Sequence, residues 1–168
     1  IQGIGGRMSG LVKTSPLPAV IARIEENGGA VLDPATAVID QAAGVALAAT
    51  LGHRRIAVTT ASAAEAAVIR ERFSDAVIVA VHTTGMSRED AVLMVRAADL
   101  VTACASQHIR DAAAKTALLQ AGRSIPVFAM TPAGKAIILG KVAETGQQVA
   151  VHGAHLPVSG RESPSPLC

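Results

Sequence analysis

Four short apolar runs along the chain each end in small polar residues, and a stretch with helical spacing follows each one at once. The runs are Arg55-Ile-Ala-Val-Thr-Thr60, Ala76-Val-Ile-Val-Ala-Val-His82-Thr83-Thr84-Gly85, Leu100-Val-Thr102-Ala-Cys104-Ala-Ser106 and Ile125-Pro-Val-Phe-Ala-Met-Thr131. They predict strands over 55–59, 76–82, 99–103 and 125–129. The stretches between them open on helix-start signals. Ser62-x-x-Glu65 is a capping box, and it predicts a helix to about residue 73. Ser87-x-x-Asp90 is a related cap with the shorter acid, for a helix to about 98. Ser106 opens a helix running to 120, stopped by Gly122, and Thr131-Pro132 places a cap and then proline at the first helical position of a helix to about 144.

Upstream the pattern is similar but weaker. Leu17, Val20, Ile21 and Ile24 share one helical face after Pro16 and Pro18, and Gly28-Gly29 ends that helix in the usual left-handed position. Residues 30–32 read as a short strand, Asp33-Pro34 as a turn, and 39–51 as an Ala-rich helix stopped by Gly52. Strand–helix alternation at this spacing calls for right-handed crossovers and helices on both faces of a sheet. The expected fold is therefore α/β: a three-layer sandwich on a mainly parallel sheet of about five strands, Rossmann-like and doubly wound. In such a sheet ligands bind where neighbouring strands present their carboxyl ends. That rule puts the candidate site around His82, Thr83, Thr84, Cys104 and Thr131. Residues 1–156 read as one domain, and as a fragment of a longer chain, because the sequence opens on Ile1 inside a glycine-rich motif. Residues 157–168, rich in Pro and Ser, read as a flexible tail.

Composition narrows the function classes. The 168 residues suit one domain, and half of them are hydrophobic, nearly all Ala, Val, Ile and Leu. There is no Trp or Tyr, and the two Phe are Phe73 and Phe128, which argues against base-stacking platforms for single-stranded nucleic acid. A formal charge of +2 with scattered basic residues makes nucleic acid an unexpected partner. No apolar run reaches the roughly 18 residues of a membrane helix, so no membrane association is expected. Cys104 and Cys168 are too few for a disulfide framework, which fits the reducing cytoplasm.

Cys104 and His82 are the sharpest chemical pair. Both close predicted strands that are expected neighbours, and a thiolate needs a nearby base or a helix N-terminus to form. The reading is a nucleophilic or redox cysteine with His82 as its base. The plainer alternative is a buried small cysteine beside a histidine bonded to the backbone. Cys104, His82 and His108 together offer three metal donors, the number a catalytic zinc site uses with water. The opening Gly3-Ile-Gly5-Gly6-Arg7-Met-Ser9-Gly10 could wrap an anion, with backbone N–H groups forming a nest and Arg7 a charged fork. It lacks the Lys-Ser/Thr of a P-loop. Thr83, Thr84, Ser106 and Thr131 are explained as caps and turns, and hydroxyls pointing into one crevice can also hold a carboxylate or phosphate. Arg110 and Lys115 face solvent or the crevice equally well on this reading, and Asp99 carries no catalytic assignment.

The stretches Gln2-Gly-Ile-Gly-Gly-Arg7-Met-Ser-Gly-Leu11, Val81-His-Thr-Thr-Gly85, Val101-Thr-Ala-Cys-Ala-Ser106-Gln-His-Ile-Arg110 and Ser124-Ile-Pro-Val-Phe128, in that order and spacing to about residue 145, resemble the methanogenesis marker protein 8 family. The resemblance implies a cytoplasmic archaeal protein tied to methanogenesis, through its cofactors or through maturation of its terminal reductase. It implies no reaction and carries over no catalytic residue. Family members similar to this chain extend upstream and carry cysteines there. If those cysteines approach Cys104 or His82, the resemblance implies a metal or iron–sulfur site in the intact protein. Two functions are therefore expected to compete: an accessory enzyme or maturation factor using Cys104 and His82, and a non-catalytic module holding an anionic cofactor or docking a methanogenesis enzyme. Neither a cofactor nor an oligomeric state follows from the sequence.

Overall fold

The computed structural model describes residues 14–160 and 163–168. Over these the chain forms a mixed α/β fold with one open six-stranded sheet. The helices are α1 (Pro18–Glu26), α2 (Gln41–Thr50), α3 (Ala63–Arg72), α4 (Arg88–Ala97), α5 (Gln107–Ala113) and α6 (Pro132–Glu144). The strands are β1 (Ala57–Thr60), β2 (Val77–Ala80), β3 (Leu100–Thr102), β4 (Leu119–Ala121), β5 (Val127–Ala129) and β6 (Val151–His152), ordered β1-β2-β3-β5-β4-β6 across the sheet.

The sheet is mixed where a mainly parallel one of about five strands was expected. β1, β2 and β3 run parallel, joined through α3 and α4 as two strand–helix–strand units. The remaining pairings, β3 with β5, β5 with β4 and β4 with β6, are antiparallel. One strand invisible to the sequence pattern causes this change. The helix expected from 106 to 120 stops at Ala113, and Leu119-Gln-Ala121 joins the sheet instead. Leu118 N–H then donates to Ala129 O at 2.8 Å, and Leu119 and Gln120 become buried. Sheet pairing and burial override the helical preference of an Ala-rich run. A turn over 122–126, with Gly122 at φ +75°, sends β5 back between β3 and β4. β5 therefore runs against β3, and whatever follows it leaves at the opposite edge of the sheet.

The predicted strand at 30–32 is also absent. That segment leads into a turn in which the Asp33 carboxylate accepts from Ala35 N–H at 2.9 Å and from the Thr36 hydroxyl at 2.5 Å. A run of three apolar residues offered no ladder long enough to compete with that local bonding. Helix caps were more legible. The side chains of Ser62, Ser87, Ser106 and Thr131 each accept from a backbone N–H in the first turn of α3, α4, α5 and α6. Only half of the predicted capping box forms at Ser62: the Glu65 carboxylate accepts from Gln41 N–H at 2.8 Å and from the Thr60 hydroxyl, and so ties α2 to β1.

Alternation along the strands divides the core in two. Ile78, Ala80, Val101 and Phe128 pack with Val45 of α2, Ala66 and Ile69 of α3, Met94 of α4 and Ile109 of α5. Leu100, Leu119 and Ala129 pack with Ile138 of α6. Four helices thus cover one cluster, and α6 covers the other. α6 approaches β3 closely at Gly134, where a β-carbon would lie 2.1 Å from Asp99 O. α1 belongs to neither cluster and has no buried residue.

Candidate functional site

β2 and β3 are adjacent and parallel, with Val79 opposite Leu100 and Ala80 opposite Val101, so the segments after them emerge side by side. After β2 the chain turns sharply: His82 has φ +53° and Gly85 φ +70°, and Met86 N–H closes the turn on Thr83 O at 3.1 Å. After β3 it turns again, with Cys104 at φ +47° and Ser106 N–H donating to Ala103 O at 2.9 Å. Two hydrogen bonds stitch these turns together. The Thr83 hydroxyl donates to Thr102 O at 2.7 Å, and Ala105 N–H donates to Thr84 Oγ1 at 3.2 Å. Cys104 is bracketed by that pair of bonds, and His82 precedes the first donor. A left-handed backbone at a residue with a β-carbon costs on the order of 1–3 kcal/mol and collects at functional sites.

His82 carries a second anomaly. Its Nε2 is buried and has no hydrogen-bond partner among the described residues. Buried polar atoms are nearly always paired, and an imidazole nitrogen held this way is available to accept a proton or donate to a metal. Cys104 is a free, half-buried thiol.

A third side chain belongs to this end of the sheet: Arg110, for which sequence reasoning left solvent and crevice equally open, is 2% exposed. Helical side chains lean toward the helix N-terminus, so its guanidinium folds back over the start of α5. There it donates to Ser106 O at 3.0 Å, Cys104 O at 2.9 Å and Ser124 O at 3.2 Å. All three acceptors are neutral carbonyls, and the one salt bridge among the described residues lies elsewhere, between Arg70 and Asp99. Burial pulls the Arg110 pKa below the usual arginine value, and the charge of Cys104 acts against that shift. The legible signal was its position four residues after the Ser106 cap, on the same turn as the buried Ile109.

The other predicted site residues divide three ways. Thr83 and Ser106 are fully buried, and with Thr84 they spend their hydroxyls on the bonds between turns and on capping α5. His108 is half-buried in the first turn of α5. Among the described residues no group of three or more His, Cys, Asp or Glu side chains is placed to hold a metal ion, so Cys104, His82 and His108 do not make a complete metal site by themselves. Thr131 does not face this crevice. Because β5 is reversed, it lies at the opposite edge, where its hydroxyl donates to Asp99 Oδ1 at 2.5 Å. Gly5, Gly6, Arg7 and Ser9 lie outside the described residues.

The segment read from sequence as a tail supplies a contact at the site. Cys168 N–H donates to Ala105 O at 2.9 Å, Gln107 N–H donates to Cys168 O at 2.8 Å, and Cys168 Sγ is 3.7 Å from Ala105 O. The second cysteine therefore docks against the residue that follows Cys104. Further back, Gln120, fully buried, exchanges two hydrogen bonds with the Val158 backbone at 2.6 and 2.9 Å.

A mixed α/β sheet with a histidine and a cysteine at adjacent strand ends describes a class of protein without specifying a reaction. Residues 1–143 match the family model DUF2099, described as an uncharacterised protein conserved in archaea, and the chain belongs to that family. It is also 36% identical over 170 residues to an uncharacterised protein of Methanocaldococcus jannaschii, a match covering 99% of this chain and 59% of that relative. The chain thus spans about three fifths of the length of the curated relative it matches. No solved structure matches it.

Proposed function

We propose that the end of the sheet holding His82, Cys104 and Arg110 is a thiol site, and that the protein is an accessory enzyme or maturation factor in the cytoplasm of methane-producing archaea. Cys104 acts as the nucleophile; His82 Nε2, which bonds no group among the described residues, the Cys104 thiol included, takes its proton once ligand binding brings the two turns together; and the buried Arg110 stabilises the developing charge on sulfur. The observation that carries this reading is the pair of left-handed turns at His82 and Cys104 after neighbouring strands, with His82 Nε2 buried and unpaired among the described residues. Strain and an unsatisfied nitrogen are unfavourable for folding, and their coincidence at one place is accounted for by a role in binding or reaction. The link to methanogenesis rests on the resemblance to the marker protein 8 family, supported by the relative from Methanocaldococcus jannaschii.

A second reading, a non-catalytic module for an anionic cofactor, is favoured by one specific fact: among the described residues the buried Arg110 has carbonyl partners and no carboxylate. Under it Gly5, Gly6, Arg7 and Ser9 are the anion-binding residues that the sequence assigns, and the thiol is a bystander.

Alkylation kinetics separate the two. In a Cys168→Ser background the thiol reading expects Cys104 to react with iodoacetamide at neutral pH faster than free glutathione, and His82→Gln to slow it about tenfold or more. A Cys104 that reacts no faster than glutathione and ignores His82→Gln sinks the thiol reading and leaves the binding module.

A further inference from the structure

α1 is a helix without a reason to be folded where it stands. It spans nine residues and none of them is buried, whereas isolated helices shorter than about 12–15 residues are marginal in water. Its apolar residues nevertheless sit on one face, at the i, i+3, i+4, i+7 spacing that marks a face meant for burial. Leu17 is 57% exposed, Val20 52% and Ile24 41%, while Ile21 is only half-buried. No residue from 14 to 40 is buried. The segment is closed on itself by the Thr14 hydroxyl donating to Ala37 O, and Val38 and Ile39 at its far end are also about half exposed. An amphipathic helix and its return segment therefore present a row of branched apolar side chains that the rest of the described chain does not cover.

The family match includes this helix, since it covers residues 1–143. The Methanocaldococcus jannaschii relative has about two fifths of its length outside the match, enough chain to form a packing layer of its own. We propose that the Leu17, Val20, Ile21 and Ile24 face of α1 is the seat of that further part of the polypeptide in the intact protein, packed on α1 as an intramolecular apolar interface. α1 is then the element through which the sheet and the remaining part meet. This interface is independent of the thiol site, which lies at the carboxyl ends of β2 and β3.

Hydrogen exchange on two proteins tests it: this 168-residue chain and the full-length relative. In this chain the α1 amides should exchange within about tenfold of an unstructured peptide, and the matching helix of the relative should exchange at least about a hundredfold more slowly. Val20→Asp with Ile24→Asp in this chain should leave its unfolding midpoint unchanged. Equal exchange in the two proteins would overturn the proposal, as would a lowered midpoint in the double variant. A dimer by light scattering, whose α1 protection vanishes with those substitutions, would assign the face to a second copy and overturn it equally.

Discussion

The two ends of β3 are built on opposite plans. Where the strand begins, the Asp99 carboxylate is 4% exposed and fully engaged. One oxygen accepts from Arg70 at 2.5 Å and from Ile78 N–H at 2.8 Å, and the other accepts from the Thr131 hydroxyl at 2.5 Å. Arg70 also donates to Ala97 O at 3.0 Å. One charge cluster thus ties α3, β2, β3 and the start of α6 together. Where the strand ends, the chain holds two residues in left-handed conformations and, among the described residues, a histidine nitrogen without a partner and an arginine that meets only carbonyls. Both ends bury polar groups. The first is satisfied within the fold, whereas the second leaves one buried nitrogen without a partner among the described residues, the pattern expected of the proposed site and not of a structural network.

The sharpest way to break this comparison is to empty the satisfied end. Asp99→Ala removes the only carboxylate facing Arg70 among the described residues and strips Ile78 N–H of its acceptor. Removing one partner of a buried pair costs about 3–5 kcal/mol, and Arg70, 28% exposed, recovers some hydration, so the lower end of that range is expected. Urea unfolding should show it as a fall in midpoint with little change in slope. A loss below about 1 kcal/mol would mean that the Asp99 network is ornamental and the two ends are alike.

A smaller effect tests the same end through its helix. Thr131 both donates to Asp99 and caps α6 by accepting from Gly134 N–H at 3.2 Å. Thr131→Ala should cost about 1–2 kcal/mol, and Thr131→Ser should restore most of it, because the hydroxyl alone performs both tasks. If Thr131→Ala left stability untouched but altered ligand binding, the residue would return to the site that the sequence reading assigned it.

That misplacement of Thr131 shows what a sequence carries and what it does not. The caps Ser62, Ser87, Ser106 and Thr131 were legible, because a hydroxyl before a helical run answers to a local need for a backbone acceptor. The adjacency of the segments that carry His82 and Cys104 was legible for the same kind of reason, since each follows a clear strand and the two strands are consecutive and paired. Strand direction was not local. It depended on Leu119-Gln-Ala121, three residues inside a helix-favouring run, whose strand state exists only because β5 and β6 flank it. Missing that strand kept the sheet parallel on paper and put Thr131 at the wrong edge. Arg110 was undecided for another reason: the pattern allowed solvent and crevice equally, and only the lean of α5 side chains over the Cys104 turn buries it.

The smallest predicted effect has the opposite sign and separates the two ends most cleanly. His82 stands at φ +53°, a conformation in which a β-carbon crowds the backbone and glycine does not. Replacing it also removes a buried nitrogen that no described residue satisfies. Against these gains stand the packing lost with the imidazole and the extra chain entropy that glycine brings to the unfolded state. The balance for His82→Gly is a stability unchanged or raised by up to about 1 kcal/mol, with alkylation of Cys104 slowed in the same protein. At the Asp99 end no substitution should behave this way, because every group there is already in use. A His82→Gly protein destabilised by about 2 kcal/mol or more would mean that the imidazole is a packing element, and the open end of β3 would then be as structural as the closed one.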